Sequence, residues 1–267
     1  MADTTLHPII DAVATAADHA LGLWAGGAPS VHHWEKEPGQ PVCDADLSVN
    51  KMLREALARI DPDAGWLSEE SADDEARCRA DRLWVVDPID GTKDYIAGKP
   101  GWAISVALVE RGEPLIGVLA APARNELWVA QRGKGARRNG ALLQGSRRRT
   151  LPGARVPAEV LPHDDLDLSM VPRPNSIALR MAMVAADEAD LVATVRWGNE
   201  WDVAAAALIA GEAGVHVSDV LGQPLLFNRP RPVAFGILCC APGIYEAAMA
   251  RLTPRAERIL GRDGKAG

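Results

Sequence analysis

The stretch Leu83-Trp84-Val85-Val86-Asp87-Pro88-Ile89-Asp90-Gly91-Thr92 decides how this chain is read. Its apolar start is a buried strand that delivers Asp87. Pro88 has no N–H to donate and is expected to stop the ladder. A tight turn, eased by the permissive dihedrals of Gly91, can bring Asp90 back toward Asp87. Thr92 then opens a helix or turn whose free N–H groups can receive a phosphate oxygen. Two carboxylates packed this closely repel each other and need a shared proton or cations. Hard cations such as Mg²⁺ prefer oxygen ligands, and no His or Cys lies in the cluster. A pair of such ions roughly 3.5–4 Å apart would activate water and steady a leaving oxygen. Asp-Pro and Asp-Gly are also plain turn vocabulary. The stretch alone does not settle the chemistry.

Two further acidic clusters end apolar runs. One is Trp66-Leu67-Ser68-Glu69-Glu70-Ser71, and the other is Glu200-Trp201-Asp202, opening an Ala-rich helix. Taken singly, Glu69-Glu70 is a solvated pair and Asp202 a helix N-cap. Three clusters in one chain, all without His or Cys, favour an oxygen-rich cation site.

The surrounding pattern is mixed. Apolar spacings of three and four predict a helix over 6–24, capped by Asp3 or Thr4, and another over 45–60. A Pro/Gly-punctuated segment, 37–41, separates them. Strand-like runs follow at 83–86, 103–109, 115–120 and 126–129, with hairpin signals at Gly112 and Asn139-Gly140. The pattern weakens from 145 to 162, which suggests two subdomains, 1–150 and 151–267. Beyond the seam, strands (168–171, 191–195, 215–217, 235–240) alternate with helices (177–186, 202–212, 244–252). The fold class is therefore α/β (α+β).

Charge and composition narrow the partners. The 267 residues carry 29 Lys+Arg and 36 Asp+Glu, a net charge of −7, so a nucleic-acid polymer or an anionic membrane is not the expected partner. Cations standing between an acidic protein and an anionic substrate would reconcile the two. Cys43, Cys78, Cys239 and Cys240 form no CxxC pair and read as free thiols. The N-terminus lacks a signal-peptide pattern, and no apolar run approaches the roughly 20 residues of a membrane helix. A cytoplasmic location is expected. Other chemistries fail on their motifs. There is no P-loop and no Gly-x-Ser-x-Gly elbow. Asp44, Asp46, Ser48, Asn50 and Glu55 have calcium-loop spacing, but Val49 stands where an EF-hand needs Gly.

At these residues the chain resembles the inositol monophosphatase superfamily of Mg²⁺-dependent, lithium-sensitive phosphatases. The resemblance runs from about residue 5 to 252. It is carried by Val42-Cys43-Asp44-Ala45-Asp46, Leu67-Ser68-Glu69-Glu70-Ser71, Trp84 to Thr92, and Trp201-Asp202-Val203-Ala204-Ala205. It implies a layered αβαβα sandwich with metals between the subdomains. Carried over by position, Glu69, Asp87 and the Ile89 carbonyl would hold one Mg²⁺. Asp87, Asp90 and Asp202 would hold a second, and Glu69 with Asp46 would approach a third. Thr92, paired with Asp46, would orient and deprotonate the attacking water, and the N–H groups of Gly91 and Thr92 would hold the phosphate. A non-catalytic binding module could keep the fold, but it would have no need of this intact set.

The resemblance also bears on the substrate, a small phosphorylated molecule. Where inositol-phosphate hydrolases carry an acidic residue, after the turn Asn175-Ser176-Ile177-Ala178-Leu179, this chain has Arg180. Another acidic contact is replaced by Val195-Arg196-Trp197-Gly198-Asn199-Glu200, read as a shortened loop. Arg180 and Arg196, with Ser176, would suit a second phosphate. Gly91-Thr92-Lys93-Asp94-Tyr95 and Glu200-Trp201-Asp202 look like bacterial 3′(2′),5′-bisphosphate nucleotidases. The expected reaction is removal of the 3′-phosphate from adenosine 3′,5′-bisphosphate, with inositol-1-phosphate and histidinol phosphate as rival substrates. Ala206 and Val215 replace the family's usual glycines, which are small packing changes. A homodimer is compatible with the reading.

Overall fold

Every residue from Leu83 to Asp90 is buried, so the strand they form must be covered on both faces. The computed structural model describes residues 6–24, 26 and 32–263, with backbone alone for 262 and 263. The expected cap at Asp3 or Thr4 lies outside the described residues. The order begins α1 (Leu6–Leu23), β1 (His33–Glu37), β2 (Gln40–Cys43), α2 (Asp44–Ile60), β3 (Gly65–Ser68), β4 (Arg82–Asp90) and α3 (Thr92–Ile96). It continues with β5 (Ala103–Glu110), β6 (Glu113–Ala121), β7 (Glu126–Gln131), β8 (Ala136–Arg138), β9 (Ala141–Leu142), β10 (Arg155–Pro157) and β11 (Ser169–Val171). It ends with α4 (Ile177–Ala185), β12 (Leu191–Asn199), α5 (Ala204–Glu212), β13 (His216–Ser218), β14 (Val233–Cys240) and α6 (Tyr245–Asp263).

Strands β3 to β9 form one seven-stranded sheet in chain order, antiparallel except for the parallel β3–β4 pair. A three-stranded sheet runs β12-β14-β13. Alternation along the strands assigns the layers. Trp84 and Val86 pack with Ile9 and Val13 of α1 and Leu53 and Leu57 of α2. Leu83 and Val85 pack on the opposite face, with Met181 of α4 and Ile209 of α5. That second core also takes Val192, Ile237 and Cys239 from the small sheet. The other face of the small sheet, Leu191, Leu238 and Cys240, packs against Ala248 and Leu252 of α6. The result is helix, sheet, helix, sheet, helix. Cys239 and Cys240 point into different cores, which is why neighbouring thiols stay unpaired; all four cysteines are free.

Several boundaries differ from the sequence reading. Pro88 does not end the ladder. Pairing skips from Asp87↔Ser105 to Asp90↔Ala103, so β4 absorbs Pro88 in a bulge where no N–H is needed. The Pro/Gly segment is a hairpin, β1–β2, turning at Gly39 with φ +82°. Asp202 precedes α5 in a turn, and α6 passes through Pro254 to Asp263. The segment read as a shortened loop, 195–200, is strand as far as Asn199. Among the described residues no helix is long and apolar enough to cross a membrane.

Candidate active site

The acidic clusters converge because of strand register. Ser68, the last residue of β3, pairs in parallel with Val86 of β4, so Glu69, just past the end of β3, follows the same register as Asp87 within β4. The Glu69 N–H donates to the Val86 carbonyl at 3.3 Å. Asp46 arrives from the first turn of α2. Its Oδ2 accepts the Cys43 N–H at 2.9 Å and the Cys43 thiol at 2.8 Å, and its Oδ1 lies 3.2 Å from the Thr92 hydroxyl. That hydroxyl is also 3.0 Å from the Ile89 carbonyl, so its one proton has two acceptors.

Asp90 is tied to the second half of the chain. Its carboxylate accepts the Ser176 hydroxyl at 2.5 Å and the N–H groups of Ala178 and Ile177 at 2.8 and 3.3 Å. These are the free donors at the start of α4, where an anion is favoured. Ser176 in turn caps α4, accepting the Leu179 N–H at 2.9 Å. Expected at the substrate, Ser176 is instead fully buried and holds Asp90. Asp202 accepts the Asn199 N–H at 3.1 Å.

Gly91 makes the turn between these groups. Its φ is +95°, and a Cβ there would lie 2.8 Å from the Gly101 carbonyl oxygen and 2.9 Å from the Ser176 nitrogen. Gly91→Ala should therefore destabilise the fold by about 2 kcal/mol or more, since it combines a left-handed backbone with a backbone clash. Urea denaturation of the variant checks this; an unchanged midpoint would contradict it.

Burial and like charge dominate the electrostatics. Burial raises Asp87 well above the carboxylate range, and Glu69, Asp90, Asp202 and Asp46 push it further. Burial lifts Asp202 to about 8, with help from Asp90 and Glu69. Asp46 is pushed up to about 7, chiefly by burial, although the hydrogen bonds from Cys43 pull the other way. Asp90 is also raised by burial, against the pull of Ser176 and the α4 N–H groups. Among the described residues none of Asp46, Asp87, Asp90 and Asp202 has an ion-pair partner. Glu69 and Glu70 do, sharing Lys36 of β1 at 3.2 and 2.5 Å.

The donor set fits a hard divalent cation. It is all oxygen, Asp46, Asp87, Asp90 and Asp202 are buried in it, and among the described residues its only ion pair is Lys36 with Glu69. No three acidic, His or Cys side chains among the described residues already close around one point.

Glu69, Asp87, Ile89, Asp90, Gly91, Thr92 and Asp202 line a cleft of about 410 Å³. Four basic side chains, Lys93, Arg173, Arg180 and Arg196, share the lining with uncharged residues that include Gln40, Asn175, Trp197 and Asn199. Arg180 donates to the Ser176 and Asn175 carbonyls at 3.2 and 3.0 Å and keeps further N–H groups for a ligand. Burial lowers it to about 10, so it stays charged at neutral pH. Sequence reasoning missed Arg173 and Lys36. Arg173 lies in Pro172-Arg173-Pro174, immediately before the turn into α4. Knowing that α4 points at Asp90 would have exposed it.

Comparison with known proteins agrees with this geometry. The family model for the Inositol monophosphatase family matches residues 4–257. A 3′(2′),5′-bisphosphate nucleotidase, CysQ of Escherichia coli O157:H7, is 30% identical over 221 residues, covering 79% of this chain and 88% of that protein. A fructose-1,6-bisphosphatase/inositol-1-monophosphatase of Thermotoga maritima is 33% identical over 207 residues, covering 72% of this chain and 79% of that one. The solved IMPase from Thermotoga maritima superposes with a TM-score of 0.80 at 28% identity, covering 94% of this chain and 97% of that one. A match over nearly the whole length, joined to a buried carboxylate cluster at the meeting of β3, β4, α2 and α4, establishes that the chain is a phosphatase of the inositol monophosphatase family.

Proposed function

We propose that this phosphatase is a 3′(2′),5′-bisphosphate nucleotidase that removes the 3′-phosphate of adenosine 3′,5′-bisphosphate. The observation that carries this reading is the set of basic side chains. Arg173, Arg180 and Arg196 line the same cleft as the carboxylates, more cationic surface than one phosphate held by cations requires. A polyol leaving group has no use for three guanidinium groups. The likeness to CysQ supports the same reading.

In this reading Glu69, Asp87 and the Ile89 carbonyl would hold one Mg²⁺, and Asp87, Asp90 and Asp202 would hold another. Glu69 and Asp46 would approach a third, weaker one. When bound, the ions lower the pKa of water and neutralise the phosphate. Thr92 takes the proton of the attacking water on Oγ1 and passes its own to Asp46. The Gly91 and Thr92 N–H groups, which open α3, hold phosphate oxygens. Arg180 and Arg196, with Arg173, take the second phosphate. No side chain acts as a nucleophile.

Steady-state rates on adenosine 3′,5′-bisphosphate, inositol-1-phosphate and histidinol phosphate, in Mg²⁺ with and without Li⁺, test the assignment. The bisphosphate should lead in kcat/KM by about tenfold or more, some 1.4 kcal/mol of transition-state discrimination. A smaller lead would end the nucleotidase reading in favour of whichever rival is faster. Li⁺ should inhibit.

A further inference from the structure

Regular strands send neighbouring side chains to opposite faces. Arg196 and Trp197 are neighbours on β12, yet both are exposed and both line the catalytic cleft. The cause is a bulge. β12 pairs with β14 at Thr194↔Ile237 and next at Trp197↔Phe235, so two residues of β12 stand opposite the single Gly236. Gly236 allows it: its φ is +69°, and a Cβ there would come within 2.5 Å of both the Thr194 carbonyl oxygen and Val220 Cγ1. The Thr194 hydroxyl accepts the Ile237 N–H at 3.1 Å and closes the bulge.

The device re-aims Trp197. Phe235, itself buried, meets the indole edge to face, with ring centroids 5.2 Å apart and planes at 65°. That contact fixes the ring and leaves 52% of Trp197 exposed. One exposed tryptophan on an open surface means little. This one is the sole aromatic lining of the cleft among the described residues, and it stands beside Arg196.

We propose that Trp197 is a stacking platform for a planar, base-like group on the substrate, with Arg196 taking a phosphate of the same molecule. The proposal rests on the nucleotidase reading and adds the recognition of the base. Stacking on an aromatic face is tolerant of base identity, because every base has a π-face. Adenine and guanine bisphosphates are therefore both accepted, whereas a sugar alcohol gains nothing from the platform.

The test compares adenosine 3′,5′-bisphosphate with the base-free methyl riboside 3,5-bisphosphate on the Mg²⁺-loaded enzyme. Wild type should favour the nucleotide in kcat/KM, and Trp197→Ala should cut that preference about tenfold or more, mainly through KM. Trp197→Phe should restore most of it. The preference is a ratio within one protein, so a folding defect lowers both rates together and leaves it in place. Equal loss on both substrates, or an unmoved ratio, would overturn the platform. The two readings fail separately. An unmoved ratio with the bisphosphate still the best substrate removes the platform and spares the nucleotidase. A ratio that falls while inositol-1-phosphate proves the best substrate keeps the platform and removes the nucleotidase.

Discussion

Asp87→Asn is expected to lower kcat/KM on every phosphomonoester by about 10³-fold or more at saturating Mg²⁺, and yet to stabilise the metal-free protein. Both effects follow from the position of one carboxylate. Asp87 is buried, and among the described residues its carboxylate accepts one hydrogen bond, from the Ile89 N–H to Oδ1 at 3.1 Å. Glu69, Asp90, Asp202 and Asp46 all press on it with like charge. Without cations, ionising Asp87 is unfavourable, and a neutral isostere removes that penalty. With cations, the proposed site would use that same charge to bind them, and Asn would offer a weaker oxygen in its place. Melting curves in chelator and in Mg²⁺, run beside kinetics, read both arms. The metal-free variant should melt higher than wild type, and added Mg²⁺ should raise its melting temperature less. Retention of a tenth or more of wild-type kcat/KM would contradict the cation role of the cluster.

The second large effect is the pH dependence of the metal-free fold. Asp46 and Asp202 rise from the ordinary value of 3.8 to about 7 and about 8. A carboxyl with a raised pKa binds its proton more tightly folded than unfolded. Its stabilising contribution is full below about pH 4 and is lost as pH rises through the folded value. The chelated protein should therefore lose stability between about pH 4 and pH 8, by several kcal/mol in sum, since each tenfold gain in proton affinity on folding is worth about 1.4 kcal/mol. Saturating Mg²⁺ should flatten or reverse the slope, because it binds only the ionised carboxylates and binds the folded state. Urea titrations at pH 5, 6.5 and 8, with and without Mg²⁺, measure this. A metal-free protein that grows more stable over that range would refute the electrostatic description of the cluster.

Much of the site was legible in the chain because its chemistry is local. Asp87, Pro88, Ile89, Asp90, Gly91 and Thr92 form one continuous stretch, and their spacing already implies crowded carboxylates beside free N–H groups. The layered fold was legible for a similar reason, since uninterrupted apolar runs require cover on both sides. The boundaries that failed were those where a distant partner changes a local preference. Pro88 would end most strands, but β5 pairs again at Asp90 once a bulge absorbs the proline. The segment 195–199 has the look of a loop until β14 pairs with it.

Ser176 shows the same limit at the site. In the sequence it is a hydroxyl near the substrate turn. In the fold it bridges Asp90 and the start of α4, 86 positions further along the chain from the carboxylate it holds. Nothing near Ser176 in the sequence names that partner.

By itself, then, the sequence determined the oxygen-rich acidic motifs, the buried strand that carries them and the membership of a phosphatase family. These depend on residue identity and short spacing, which folding does not alter. Only the tertiary structure decided which face each side chain takes at the two bulges, that Arg173 joins Arg180 and Arg196 on the cleft wall, and that Trp197 shares the cleft with Arg196. Those outcomes are set by register against strands and helices far away in the chain. A single residue of register, here allowed by Gly236, sends a side chain to the opposite face.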